Sequence, residues 1–118
     1  MINHPPLPHD HGHTPQDLSC PPAQQLQGAA DCFRLLGDAS RLRLFCLLCQ
    51  CEECVINLSA LMGMSSPALS HHLRQLKSCG LVVSRREGKE VYYRAADTPQ
   101  ARLLHQTSLQ LAYAEDGT

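Results

Sequence analysis

The sequence predicts a mainly α-helical domain with a small β-hairpin, arranged as a winged helix-turn-helix. Three observations lead there. Apolar residues recur at helical spacing on both sides of the turn Gly63-Met64-Ser65-Ser66-Pro67. Past Gly80 the apolar period drops to two, and Glu87-Gly88-Lys89 joins two β-patterned runs. The chain has 118 residues, 43% of them hydrophobic but only 4% aromatic. That is room for one small domain with an aliphatic core, of a size that often gains further burial by oligomerising.

The elements follow in order. Residues 1–23 hold six of the eight prolines and four of the seven histidines, and they read as a flexible His/Pro-rich arm. The domain proper spans 24–115. Its first helix carries Leu26, Ala29, Ala30, Phe33 and Leu36 on one face, and Gly37 stops it. Asp38 caps a second helix over about 40–50, which is apolar on nearly every side and therefore central. A short third helix, about 54–62, turns Val55, Leu58, Leu61 and Met62 inward. Ser65 or Ser66 caps a fourth helix, with Pro67 in its first turn and Leu69, Leu73 and Leu76 as its stripe. The hairpin then runs from Leu81 to Arg94. Thr98 and Pro99 open a last helix that reaches about Ala114, with Ala101, Leu104, Ser108 and Leu111 on one stripe.

Charge is distributed unevenly. The chain has 10 Lys and Arg against 11 Asp and Glu, a net of -1. From His71 to Arg94, however, six cations face two acids, leaving this segment at +4. The outer face of the fourth helix, with Ser65 and Ser66 at its start, carries Ser70, His71, Arg74, Gln75 and Lys77. Arg74 and Lys77 reach phosphates, while Ser70, His71 and Gln75 reach base edges. Arg85, Arg86 and Lys89 put positive charge on the wing, where it can straddle a backbone or enter a minor groove. A hairpin with three surface cations is by itself an ordinary solvated hairpin. Together with the turn and the polar helix face, it reads as an interface for double-stranded DNA.

Seven cysteines are an odd number, and no secretion signal precedes them, so metal or redox chemistry is a better reading than a disulfide framework. The same N-terminus predicts a cytoplasmic protein, and no apolar run is long enough to cross a membrane. Cys46, Cys49, Cys51 and Cys54 form C-x2-C-x-C-x2-C. Cys51 and Cys54 sit at the junction of the second and third helices, where two thiolates can converge on one soft ion at about 2.3 Å per bond. Cys49, at the end of the second helix, is within reach of Cys51. Cys46, Cys32 and Cys79 read as packing, because free cysteine behaves as a small hydrophobe.

The runs LLGDASRLRLF, EECV, SSPALSHHLRQLK and REGKEVYYR strongly resemble the ArsR/SmtB family of bacterial metal-sensing repressors, across about 26–112. The resemblance implies a homodimer whose interface comes from the first and last helices, employing the Leu104/Leu111 stripe. It implies a repressor that holds operator DNA without metal and leaves it when a metal or metalloid binds. Two recognition helices would then lie about one turn of DNA apart. In the family a short motif opening the third helix supplies thiolates, and Cys54 matches its cysteine. This chain departs from the motif further on, with Ile56 where many relatives have a second cysteine and Asn57 where an Asp is frequent. The family's arm can complete the site, which makes Cys20 a candidate, with His9, His11 and His13 behind it. The family's alternative zinc site on the last helix is not expected here. Asp97 matches it, but Pro99, Gln110 and Tyr113 occupy its other positions, and His105 is a lone histidine.

The expected effector is a soft ion: Zn(II), Cd(II), Pb(II), or trivalent arsenic or antimony. An alternative keeps the fold and the DNA but makes the thiols a sensor of oxidants or persulfides. A thiol enzyme or metal carrier would need a nucleophile–base pair or a pocket. The sequence offers neither, so no enzymatic activity is expected.

Overall fold

The computed structural model describes residues 18–114, and the helix boundaries within it follow the caps. Helix α1 spans Ala23–Leu35 and α2 spans Ala39–Leu48. The Asp38 carboxylate accepts from the Arg41 N–H at 2.9 Å, satisfying one of the donors a helix start leaves open. Strand β1 is Glu53–Cys54 and runs directly into α3, Val55–Met62. Gly63, at φ 65, closes α3 in the left-handed conformation that side chains with a Cβ rarely adopt. Helix α4 covers Ser66–Ser78, capped by Ser65, whose hydroxyl accepts from the Ala68 N–H at 3.3 Å. It ends in a Schellman arrangement: Leu81 N–H donates to the Leu76 carbonyl and Gly80 N–H to the Lys77 carbonyl, both at 3.0 Å. Strands β2 (Val82–Glu87) and β3 (Glu90–Ala95) form the wing, and α5 is Pro99–Ala114, capped by Thr98.

The sheet corrects the sequence reading at one point. Its order is β1-β3-β2, all antiparallel, so the hairpin is not isolated. Glu53 pairs with Tyr93 and Cys54 with Tyr92. Cys54 therefore belongs to a strand and to the cap of α3 rather than to its first turn. A two-residue strand leaves no periodicity to read, which is why the sequence did not yield it.

The core is aliphatic, as composition required. Leu44, Phe45 and Leu48 of α2 are buried against Leu58 of α3, the Leu69–Leu73–Leu76 stripe of α4, and Leu81 and Val82. The outer helices differ from expectation. On α1 the buried residues are Cys32 and Leu35, followed by Leu36, while Phe33 is 64% exposed. On α5 only Ala101 is buried, and Leu111 is 68% exposed. Leu61 of α3 also faces outward, and Cys46 is half-buried rather than enclosed. The same cause acts on α1 and α5: each packs on the protomer along one narrow edge. The apolar width the pattern assigned to each is thus only partly used within the chain. Most of the 1–23 arm lies outside the described residues, including His9, His11 and His13.

Candidate functional site

The basic face is built by α4 and the wing. Ser66, His71, Arg74 and Lys77 are exposed on α4, while Ser70 and Gln75 are half-buried and Ser65 is exposed at the cap. The Lys77 ammonium donates to the Ser84 hydroxyl at 2.7 Å, fastening the helix to β2. The next residue on the wing, Arg85, is strongly engaged. Its Nε donates to both Glu52 carboxylate oxygens at 3.0 Å, and Nη2 lies 2.8 Å from Oε1. Its Nη1 donates to Glu87 at 2.7 Å, and the guanidinium sits 4.8 Å from the Tyr92 ring centre. Arg85 thus reaches the basic face already carrying two carboxylate partners. Arg86 and Lys89 are exposed beside the tip at Gly88, which has φ 62. Behind α4, Arg41 Nε donates to His72 Nδ1 at 3.2 Å, and Asp38 Oδ2 stands 4.0 Å from Nε2. Burial and the neighbouring Arg41 hold His72 below the ordinary imidazole range.

The second feature is a cavity of about 340 Å³ between the end of α2, the residues 49–52 that follow it, the end of β3 and the first half of α5. Cys49, Cys51, Glu52, Asp97 and His105 line it. Cys51 donates its S–H to the Leu47 carbonyl at 3.4 Å. Burial, with Cys46 beside it, pushes the Cys49 thiol up to about 11. Burial also raises Cys51 and Cys46, with Glu53 adding to the effect at Cys51. His105 Nε2 is buried without a hydrogen-bond partner, and its ring meets Phe45 edge-on at 6.5 Å. A buried, unpartnered imidazole nitrogen costs free energy on the order of 1–3 kcal/mol unless something binds it. It is the only such side-chain atom among the described residues.

The sequence-predicted thiols therefore separate. Cys49 and Cys51 both line the cavity. Cys54 is 7% exposed, pinned in β1, and does not line it. Cys20 is exposed on the arm. All seven cysteines are free thiols. Two thiols and an imidazole are a donor set that suits a soft or borderline divalent ion. Among the described residues, no three His, Cys, Asp or Glu side chains are already close enough to hold one. The fit is one of donor chemistry, not of a finished cage.

Sequence reasoning set His105 aside as a lone histidine and did not single out Glu52. The histidine lies more than fifty positions from the thiols, so spacing carries no signal for it. Glu52 lies 33 positions from Arg85, and adjacency to the thiols was its only mark. Its carboxylate is held below the ordinary range first by the hydrogen bond from Arg85.

Similarity to known proteins agrees with this architecture. Residues 38–84 match the model of the bacterial regulatory protein, arsR family. A "Transcriptional repressor SmtB homolog" from Synechocystis is 47% identical over 83 residues, which are 70% of this chain and 61% of that protein. The "Cadmium resistance transcriptional regulatory protein CadC homolog" of Staphylococcus aureus is 33% identical over 87 residues, covering 73% of this chain and 72% of the relative. Among solved structures, the homodimeric winged helix-turn-helix DNA-binding domain of Mb0332 from Mycobacterium bovis superposes with a TM-score of 0.71. It is 34% identical, over 81% of this chain and 89% of that one. With helix order, wing and sequence in agreement, the chain belongs to the arsR family of bacterial regulatory proteins.

Proposed function

We propose that this chain is a cytoplasmic homodimeric repressor that binds double-stranded operator DNA and is released by a soft metal or metalloid. The observation that carries the reading is the set of exposed cations on α4 and the wing, Arg74, Lys77, Arg86 and Lys89, with Glu52 both bonded to wing Arg85 and lining the cavity that holds Cys49 and Cys51. Support for the dimer comes from the exposed apolar side chains of the outer helices: Phe33 on α1, and Leu103 and Leu111 on α5. A second copy is the natural cover for such faces in a family with homodimeric members.

On this reading Arg74 and Lys77 meet phosphates and Ser70, His71 and Gln75 meet base edges in the major groove, while Arg86 and Lys89 follow the flanking backbone. Cys49, Cys51 and His105 would hold the effector, with Cys54 and Cys20 as the family-derived alternatives. A bound ion would supply positive charge and a fixed geometry where there is now an open cavity. Glu52 then has two claims on its carboxylate, the cavity and Arg85. Any shift of Glu52 moves the wing cation that DNA would otherwise use.

The test is a fluorescence-anisotropy titration of the metal-free protein on its own promoter, repeated with Zn(II), Cd(II), Pb(II) and As(III). Lys77→Ala is expected to weaken binding to all sequences alike and to lower the slope of log affinity against log salt by about 1. Salt-independent binding would sink the proposal.

Glu52→Gln gives a further expected result. It removes a carboxylate from behind the wing and loosens Arg85. Operator affinity should rise by up to about fivefold, in line with the weak net worth of exposed ion pairs, while the response to metal diminishes. A variant that binds operator more weakly than the parent would show that Glu52 only braces the wing.

A further inference from the structure

One largely buried histidine belongs neither to the exposed basic face nor to the cavity. His72 lies on α4 between exposed His71 and buried Leu73, and its side chain is 14% exposed. Helices α2 and α4 pack against each other, and Arg41 of α2 reaches across, its Nε donating to His72 Nδ1 at 3.2 Å. The same guanidinium donates through Nη1 to the carbonyl of Leu35, the last residue of α1, at 3.0 Å. The Arg41 backbone N–H is in turn held by the Asp38 cap. One side chain of α2 thus ties the end of α1 to the recognition helix. A ring nitrogen that accepts a hydrogen bond carries no proton, so this tie exists only while His72 is neutral.

From this geometry we infer that Arg41 and His72 are positioning residues, a proton-sensitive brace that holds α4 where Ser70 and His71 can read bases and that lets go when His72 takes up a proton. The inference rests on the DNA reading above. Once both ring nitrogens carry hydrogens, Nδ1–H faces the Arg41 Nε–H, and two cations stand within hydrogen-bond distance of each other. The nearest acid is Asp38, 4.0 Å from Nε2, and its carboxylate is already engaged in capping α2. Charging His72 therefore breaks the Arg41 contact and sets the imidazolium competing for the cap of α2. The charged and titratable groups facing His72 are Arg41 and Asp38, from α2 and its cap, and His71 on α4, with ring centres 5.8 Å apart. Burial, then Arg41 and more weakly His71, hold His72 below the ordinary imidazole range, and Asp38 opposes them. The unfolded chain, with an ordinary imidazole, takes up the proton first as pH falls. The brace is therefore complete above about pH 6.5 and is lost on acidification below it.

The test compares the metal-free parent with His72→Asn on operator DNA by fluorescence anisotropy, at constant ionic strength from about pH 7.5 to about 5.5. Asparagine keeps an acceptor for Arg41 and cannot be protonated. It should bind within about twofold of the parent at the upper pH, and at the lower pH the parent should have lost about fivefold more affinity, the low end of ordinary couplings. His71 is present in both proteins, so its own titration cancels. His72→Leu offers no acceptor and should bind about fivefold more weakly even at the upper pH; circular dichroism checks that it folds. A second arm needs no DNA: heteronuclear NMR of the imidazole rings should show His72 titrating below exposed His71, and Arg41→Met should move it upward. Three results would overturn the inference: the same pH profile for parent and His72→Asn; His72 titrating together with His71; or a folded His72→Leu that binds like the parent. A parent that binds no operator at either pH would instead sink the DNA reading, and this inference with it.

Discussion

Replacing Cys49 and Cys51 together by serine is expected to leave the protein on its operator at Cd(II) concentrations that strip the parent from it. A typical allosteric coupling of about 3 kcal/mol lowers DNA affinity roughly 100-fold when the effector is bound. The double variant should show a change of no more than about twofold, well below the range of ordinary allosteric couplings. Its metal-free affinity should stay with the parent's, since neither thiol is on the basic face. The reasoning is geometric. These two thiols line the cavity, and so does His105, whose Nε2 is buried without a hydrogen-bond partner. Serine keeps a small polar group at each place but has little affinity for a soft ion.

The single variant Cys54→Ser separates this cavity from the family's motif position. Cys54 is buried and paired across β1 to Tyr92. If the cavity is the effector site, Cys54→Ser should still release DNA with Cd(II), at most with a modest loss of stability. If instead Cys54→Ser alone abolishes release while the Cys49/Cys51 double variant responds normally, the cavity reading fails, and β1 must open to expose its thiol. His105→Ala adds a third measurement: it should weaken the response to Zn(II) more than to As(III), since an imidazole ligand suits the former.

Most of the fold was legible because the sequence carries local signals for it. Asp38, Ser65 and Thr98 cap where capping chemistry says they should, and Gly63, Gly80 and Gly88 take the positive φ their turns require. The α4 stripe is a clean one, and Leu69, Leu73 and Leu76 are all buried. What was not legible is non-local. Strand β1 exists because Glu53 and Cys54 find the edge of β3, a pairing of residues some forty positions apart. Helices α1 and α5 have apolar faces wider than one protomer can cover, so periodicity named residues such as Phe33 and Leu111 that remain exposed. The candidate site divides the same way. The basic face lies on one continuous segment and could be read in order. The cavity joins α2 to α5. Spacing rules for metal ligands favoured the C-x2-C pair, Cys51 with Cys54, and carry no signal that joins His105 to the thiols.

Phe45→Ala should be among the most destabilising single substitutions in this chain, at about 3–5 kcal/mol. Phe45 is fully buried in α2 at the centre of the core, in a domain with very few aromatic side chains to share its volume. Its neighbours are held by their own caps and strand pairing, so they can close only part of the gap, and the cavity term adds to the lost transfer free energy. Domains of this size carry only about 5–15 kcal/mol in total, so the variant should be partly unfolded at moderate temperature. Urea denaturation is the measurement: the midpoint should fall sharply while the slope stays constant. Phe45→Leu distinguishes packing from function. It keeps most of the apolar volume and should cost far less, but it removes the ring edge that backs His105. The leucine variant is therefore expected to fold and to bind operator like the parent, while its Zn(II) response shifts because His105 is no longer held in place. A Phe45→Leu protein with an unchanged Zn(II) response would mean that the imidazole is oriented by α5 alone. Phe45 would then serve the core and not the site.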